Sequence, residues 1–98
     1  MAVTTLSRYS GGKREDFVAL ARRGKAIYEE KGAEFRTGQV FSGPHTGQWT
    51  VAVRFADWAA YGRVTHELMN DPEYLKMMAE VAGRSQIMDR TFIVSVDL

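Results

Sequence analysis

Four residues in the middle of the chain have side chains of the types that can do chemistry on a small molecule. His66 can act as a general base, because imidazole changes its charge near neutral pH. Arg54 can hold an oxyanion through two parallel hydrogen bonds. Trp58 and Tyr61 each offer a flat apolar ring with one polar group. These types suit a site that stacks a flat ring and stabilises a negative charge.

Each of these residues also has a purely structural interpretation. His66 can be a surface histidine of a helix, next to Glu67. Trp58 and Tyr61 can be packed aromatics of a core or of an interface. Arg54 can pair with an acidic residue on another strand or lie exposed at an edge. The residue types alone leave both interpretations open.

Three further arginines also fall on predicted strands, namely Arg8, Arg36 and Arg90. Several strand arginines that point into one shared interior would bind an anionic or enol-type ligand. The alternative is a set of salt bridges between subunits or exposure at the sheet edge.

Composition excludes several classes of protein. The 98 residues carry 13 basic and 12 acidic side chains, so the formal charge is +1 and offers no basic surface for nucleic acid or an anionic membrane. There is no cysteine, and the two histidines have no acidic partners at metal-ligand spacing, so we predict no metal site. No signal layout or long apolar run is present, which predicts a cytoplasmic protein with no membrane partner.

The first half of the chain predicts a strand, a helix and a hairpin. Residues 2–9 alternate and are rich in β-branched types, as in a strand. Residues 13–32 predict a helix with one apolar stripe, formed by Phe17, Leu20, Ala21, Gly24, Ile27 and Tyr28. Gly24 within that stripe indicates a close approach to the sheet. Residues 34–41 and 49–55 alternate on either side of a Gly/Pro turn, which predicts an antiparallel hairpin.

The second half predicts a helix in two pieces and a last strand. Asp57 suits the cap of a helix that ends near Met69. Asp71 and Pro72 then suit a new cap and a first helical position, so the chain begins a second helix. Its predicted inward side consists of Leu75, Met78 and Val81. Residues 87–98 predict a long final strand.

This order of elements, βαββαβ with a broken second helix, predicts one domain over residues 1–98 with a ferredoxin-like α+β fold. Its four-stranded antiparallel sheet would carry the helices on one face. The other face would carry no helix, yet it would be too apolar to be left exposed to water. We therefore predict a homodimer in which a second copy covers it.

The stretch FADWAAYGRVTHELMNDPEYLKMMAEV combines an aromatic-containing helix with an Asp-Pro-Glu-Tyr restart. Together with the element order, it resembles the dimeric α+β barrel superfamily. That superfamily includes antibiotic-biosynthesis monooxygenase-like proteins, NIPSNAP-like proteins, stress-responsive barrels and haem-degrading monooxygenases. The resemblance implies a homodimer whose two sheets face each other, and a small-molecule cleft between sheet and helices or inside the barrel.

The resemblance also bears on cofactors. Haem-degrading members are similar in using an Asn on the first strand with a Trp and a His in the helical region. Trp58 and His66 match that pattern, whereas the first strand, AVTTLSRY, has no Asn. We therefore predict no resident cofactor, with haem as the alternative that Trp58 and His66 leave open.

Two functions remain open on the sequence. One is a cofactor-independent monooxygenase that acts on an aromatic or enol-type substrate, with His66 and Arg54 as catalytic candidates and Trp58 and Tyr61 as ligand-binding candidates. The other is a non-catalytic dimeric module that binds a ligand or serves in a stress response. A nucleic-acid-binding sheet would need exposed aromatics on a basic surface, which the balanced charge does not provide.

Overall fold

A computed structural model describes all residues from 1 to 98. The chain folds into four strands and three helices. They are β1 (Val3–Ser10), α1 (Arg14–Glu30), β2 (Glu34–Gln39), β3 (Trp49–Phe55), α2 (Trp58–Met69), α3 (Pro72–Arg84) and β4 (Gln86–Val94). None of the three helices is both long enough and apolar enough to cross a bilayer.

The strands form one antiparallel sheet in the order β2-β3-β1-β4. β1 lies at the centre, where Val3 pairs with Phe55 of β3 and with Val94 of β4. The side chains of Val3, Thr5, Ser7 and Tyr9 alternate along β1 and are buried under the helices. This topology confirms the predicted ferredoxin-like α+β fold with helices on one face.

Gly24 sets the distance between α1 and the sheet. A β-carbon at this buried position would lie 3.2 Å from Cε2 and Cζ of Phe35 on β2, and 3.6 Å from the sulfur of Met77 on α3. The aromatic ring therefore occupies the space that any other residue would need, as the glycine in the apolar stripe indicates. Gly32 follows the helix with a φ of +91°, which suits a residue without a side chain.

The break between α2 and α3 has the predicted caps. A side-chain oxygen of Asp57 accepts a hydrogen bond from the backbone N–H of Ala60 at 2.7 Å. Asp71 accepts from two backbone N–H groups in the first turn of α3, and Nζ of Lys31 donates to its other oxygen at 2.7 Å. The lysine is the main cause of a pKa of Asp71 below the ordinary value. Asp71 thus begins α3 and fastens it to the end of α1.

Three details of the sequence prediction are wrong. β2 ends at Gln39 instead of residue 41, because its regular pairing with β3 stops at Trp49, and Phe41 is exposed. β4 ends at Val94 instead of residue 98, because β1 begins at Val3 and only Ala2 lies beyond it to bond with Ser95. On α3, Leu75 is exposed and Met77 is buried, since the inward stripe is shifted from the predicted one.

The opposite face of the sheet carries no helix. Leu6 and Ala52 are half-buried on this face, and Ile93 on β4 is exposed. The charged side chain of Arg54 lies exposed on the same face. A bare face of mixed apolar and charged character is therefore present, as the sequence predicts.

Candidate functional site

One apolar cavity lies between the sheet and the helices, with a volume of about 140 Å³. It is lined by 21 residues, of which 16 are hydrophobic. The lining comprises Thr5, Ser7, Tyr9, Phe17, Leu20, Ala21, Gly24, Tyr28, Phe35, Val51, Val53, Phe55, Tyr61, Thr65, Leu68, Met69, Tyr74, Met77, Met78, Val81 and Arg90. All four strands and all three helices contribute to it, so the cavity depends on the whole fold.

Strand alternation explains the floor of the cavity. Every second residue of β1 and β3 points to the helices, which brings Thr5 and Ser7 beside Val51 and Val53. Thr5 pairs with Val53 and Ser7 pairs with Val51 across the two central strands. A hydroxyl row on one strand therefore lies next to an apolar row on the other.

Two tyrosines from different helices meet over this floor. The hydroxyl of Tyr28 on α1 donates a hydrogen bond to the hydroxyl of Tyr74 on α3, with 3.4 Å between the oxygens. Burial is the largest cause of a pKa of Tyr28 far above its ordinary value, and the neighbouring Tyr74 raises that pKa further. Tyr28 is therefore a neutral hydrogen-bond donor at physiological pH and no base.

Arg90 on β4 is the only charged residue in the lining. Its Nε donates a hydrogen bond to the hydroxyl of Ser7 at 2.9 Å, and that serine is only 3% exposed. Arg90 and Met69 are also the two lining residues that are exposed to solvent. They define the mouth of the cavity, and the guanidinium is held at this mouth by a buried hydroxyl.

An aromatic group packs beside the cavity. Tyr61 on α2 belongs to the lining and meets Phe55 edge to face, with 5.2 Å between ring centroids. Trp58 lies one turn earlier, meets Tyr61 edge to face at 5.9 Å and stacks on Phe92 of β4 at 5.9 Å. Trp58 is 51% exposed and does not itself line the cavity.

The structure does not bring Arg54 and His66 to this cavity. Arg54 is exposed on the open face of the sheet, where its Nη1 lies 3.7 Å from a carboxylate oxygen of Glu34. His66 is exposed in the last turn of α2, and its backbone carbonyl accepts a hydrogen bond from the amide of Asn70. Of the four sequence candidates, Tyr61 lines the cavity and Trp58 supports it. The catalytic roles of the other two stay predictions.

Several polar residues of the cavity were not chosen from the sequence. Ser7, Tyr28 and Tyr74 are not among the site residues that the sequence predicts. Arg90 is one of several strand arginines in the sequence, and its pairing with Ser7 of the central strand β1 shows that it lies on the helix side of the sheet. The one available signal was that Ser7 and Tyr9 share the buried face of β1.

The residues of the cavity do not fit a haem. No histidine lines it, and the imidazole of His66 lies on the exposed side of α2. A volume of about 140 Å³ is also far smaller than a porphyrin needs.

The fold and the cavity together define a class of protein, namely a ferredoxin-like α+β domain with a small-molecule-sized space between sheet and helices. SnoaB, a cofactor-independent oxygenase from Streptomyces nogalater, superimposes with a TM-score of 0.73 at 15% identity, over 99% of this chain and 95% of SnoaB. A NIPSNAP family protein from Agrobacterium tumefaciens gives 0.78 at 16% identity, over 99% and 95% of the two chains. A NIPSNAP domain protein from Burkholderia xenovorans gives 0.76 at 17% identity, over 98% and 95%.

At these identities the likeness shows the fold. The predicted resemblance to dimeric α+β barrel, antibiotic-biosynthesis monooxygenase-like and NIPSNAP-like proteins is confirmed at that level. No protein-family model matches the sequence. No curated protein matches it either.

Proposed function

We propose that this chain binds a small aromatic or enol-type molecule in the cavity between its sheet and its helices. The observation that carries the proposal is the distribution of polarity in the lining. The walls are mostly hydrophobic, and a few polar groups converge on them, among them Ser7, Tyr28, Tyr74 and Arg90. Apolar walls with a few placed polar groups are typical of small-molecule sites.

The size of the cavity limits the enclosed part of the ligand. Engineered apolar cavities of roughly 150 Å³ accept a benzene molecule, so about 140 Å³ accommodates one ring. A larger ligand would continue through the mouth beside Met69 and Arg90. There it would reach the exposed ring of Trp58 or Phe92, which supports the ligand-binding role predicted for Trp58.

Cofactor-independent oxygenation is the reaction that we propose for this site. It is the activity of SnoaB, which shares the fold. In the simplest case a methylene group and O₂ give a carbonyl group and water, which balances without an external reductant. No carboxylate or imidazole lines the cavity to act as a base, so the substrate must bind as its own anion. The guanidinium of Arg90, at the mouth of the cavity, would stabilise such an enolate or phenolate.

We also propose that the protein is a homodimer whose open sheet faces meet. Leu6 and Ala52 on this face, with the exposed Ile93, support a partner that removes them from water. In sedimentation at micromolar concentration we expect a dimer for the wild type and a monomer for Leu6→Asp. Leu75→Asp, on the exposed side of α3, is the matched control that should stay dimeric. A monomeric wild type would contradict the proposal.

The binding proposal is tested by filling the cavity. Ala21 on α1 belongs to the lining, whereas Ala19 on the same helix is exposed and lies outside it. We expect Ala21→Leu to weaken the binding of a single-ring probe, phenol, at least tenfold by ligand-observed NMR. Ala19→Leu should bind phenol as the wild type does. Equal binding by all three proteins would place the ligand elsewhere.

Oxygenation has its own test, which is independent of binding. Dithranol, an anthrone that exists partly as its enol, serves as the probe, and oxygen uptake is followed with an electrode. An enzymatic role is supported if the protein oxidises dithranol faster than dithranol oxidises spontaneously, and if Ala21→Leu lowers the rate of the protein-dependent reaction. Binding of phenol without any such acceleration supports the alternative, a non-catalytic ligand-binding module.

A further inference from the structure

We infer that Arg90 is the anchor for a negatively charged group, and that the ligand is therefore an aromatic anion with a carboxylate, enolate or phenolate oxygen at the mouth of the cavity. This inference rests on the proposed function, since it names the class of molecule that the same cavity takes. It assigns the recognition of charge to Arg90, held by Ser7, among the strand arginines for which the sequence leaves ligand binding and salt bridges as alternatives.

The lack of an acidic partner for Arg90 is the first observation that supports the inference. The acidic residue next to Arg90 in the chain, Asp89, already pairs with Arg8 on the other face of the sheet. No carboxylate lies within salt-bridge distance of Arg90, although most other arginines of the chain have such a partner. The lining contains no acidic residue either. The lining thus carries one positive charge that no carboxylate of the chain compensates.

Geometry is the second support. Ser7 is buried on the central strand and accepts a hydrogen bond from Nε of Arg90, which fixes the guanidinium by one edge. Nη1 and Nη2 make no hydrogen bond within the chain, so their N–H groups are left for a ligand. Two guanidinium N–H groups fit the two oxygens of a carboxylate.

The tyrosine pair adds a further donor. Tyr28 donates to Tyr74, so the hydroxyl proton of Tyr74 has no partner within the chain. Both tyrosines line the cavity with Arg90. A ligand oxygen that approaches from the mouth therefore meets donors and no competing carboxylate.

The test compares three single-ring probes of nearly equal size and different charge, namely benzoate, benzyl alcohol and benzylammonium. Their dissociation constants are measured by NMR titration in low and high salt. For the wild type we expect benzoate to bind at least about tenfold more tightly than benzyl alcohol, and benzylammonium most weakly. Added salt should weaken benzoate and leave benzyl alcohol unchanged.

Variants assign the charge preference to one residue. Arg90→Gln should bind benzoate and benzyl alcohol equally, and benzyl alcohol as the wild type does. Arg90→Lys should keep part of the preference, because the charge remains and the planar fork is lost. Ser7→Ala should reduce the preference a fewfold. Arg22→Gln removes an exposed arginine of α1 that also has no acidic partner, and it should change nothing.

The outcomes separate this inference from the proposed function. If benzyl alcohol and benzoate bind the wild type with equal affinity and compete with phenol, the cavity is a small-molecule site and the inference about Arg90 is wrong. If neither probe binds in the cavity, the proposed function itself is wrong. A preference for benzoate that persists in Arg90→Gln would place the anion site at another residue.

Discussion

The rings of Tyr28 and Tyr74 meet edge to face, with 5.9 Å between their centroids, and their hydroxyl groups are hydrogen bonded. Tyr74 reaches this position because α3 begins at Pro72, two residues earlier, under the cap of Asp71. The Asp-Pro break therefore does more than bend a helix. It places a tyrosine against α1 and over the cavity.

The Tyr28 hydroxyl predicts a loss of stability at alkaline pH. Its pKa is raised above the ordinary value of 10.0 by burial, so the folded state holds its proton where the unfolded state releases it. The stabilisation is complete below pH 10 and decreases as the pH rises above it. Tyr28→Phe should cost about 1 kcal/mol at pH 7 through the lost hydrogen bond. The measurement is urea unfolding of both proteins from pH 7 to 11. The difference in unfolding free energy between the wild type and Tyr28→Phe should narrow above pH 10. A difference that stays constant with pH would contradict this account.

Two glycines in helices should respond to alanine in opposite ways. Gly62 on α2 has no atom near the position of a β-carbon, so Gly62→Ala should stabilise by about 0.5–1 kcal/mol. Gly24→Ala gains the same helix propensity, but its methyl group meets the ring of Phe35 at 3.2 Å. We expect a net destabilisation of about 1 kcal/mol. Chemical denaturation of the two variants checks this, and equal stabilisation by both would show that Phe35 can move away.

Asp71 has two separable roles, which two substitutions distinguish. Asp71→Asn keeps a capping side chain and loses the ion pair with Lys31, whereas Asp71→Ala loses both. At pH 7 we expect Asp71→Ala to lower the melting temperature by roughly 4–8 °C and Asp71→Asn by less.

The acid side of the same comparison follows from the lowered pKa of Asp71. The ion-pair stabilisation is present above the ordinary value of 3.8 and is lost as the pH falls through the lower pKa of the folded state. The difference in melting temperature between Asp71→Asn and the wild type should therefore disappear in acid. A deficit that is the same at pH 7 and pH 2.5, by thermal unfolding at one protein concentration, would contradict the role of the ion pair.

Trp58 and Tyr61 should differ in their effects on binding. Tyr61 touches the cavity, whereas Trp58 touches Tyr61 and the outer ring of Phe92. Tyr61→Ala should weaken phenol binding about tenfold, and Trp58→Ala only a fewfold. For a two-ring probe, 2-naphthol, which extends through the mouth, the loss in Trp58→Ala should be larger. If Trp58→Ala weakens the binding of phenol and 2-naphthol equally, Trp58 does not contact the part of the ligand that extends through the mouth.

The fold was predictable because its local signals agree with one another. Alternation shows which residues of β1 and β3 share a face, and Asp57, Asp71 and Pro72 mark where helices begin. The predicted ends of β2 and β4 are wrong because a strand ends where its pairing ends, which is at Trp49 for β2 and at Val3 for β4. The local pattern of a strand does not show where its partner stops.

The site was predicted less well than the fold. Tyr61 and Trp58 were found because they are aromatics on a helix stripe next to the sheet. Arg54 is on the face that alternation assigns to it, but that face is opposite the cavity. Arg90 and Ser7 meet across two strands that are far apart in the chain, so only their pairing in the sheet reveals them.

The most direct test of the central claim uses the methionines as reporters. Met69, Met77 and Met78 line the cavity, whereas Met1 and Met88 lie outside it. The protein is labelled with ¹³C at the methionine methyl groups and titrated with benzyl alcohol. We expect saturable shifts of the three cavity signals and unchanged signals from the other two. Shifts confined to Met88, or no saturable shift at Met77 and Met78, would contradict a small-molecule site between the sheet and the helices.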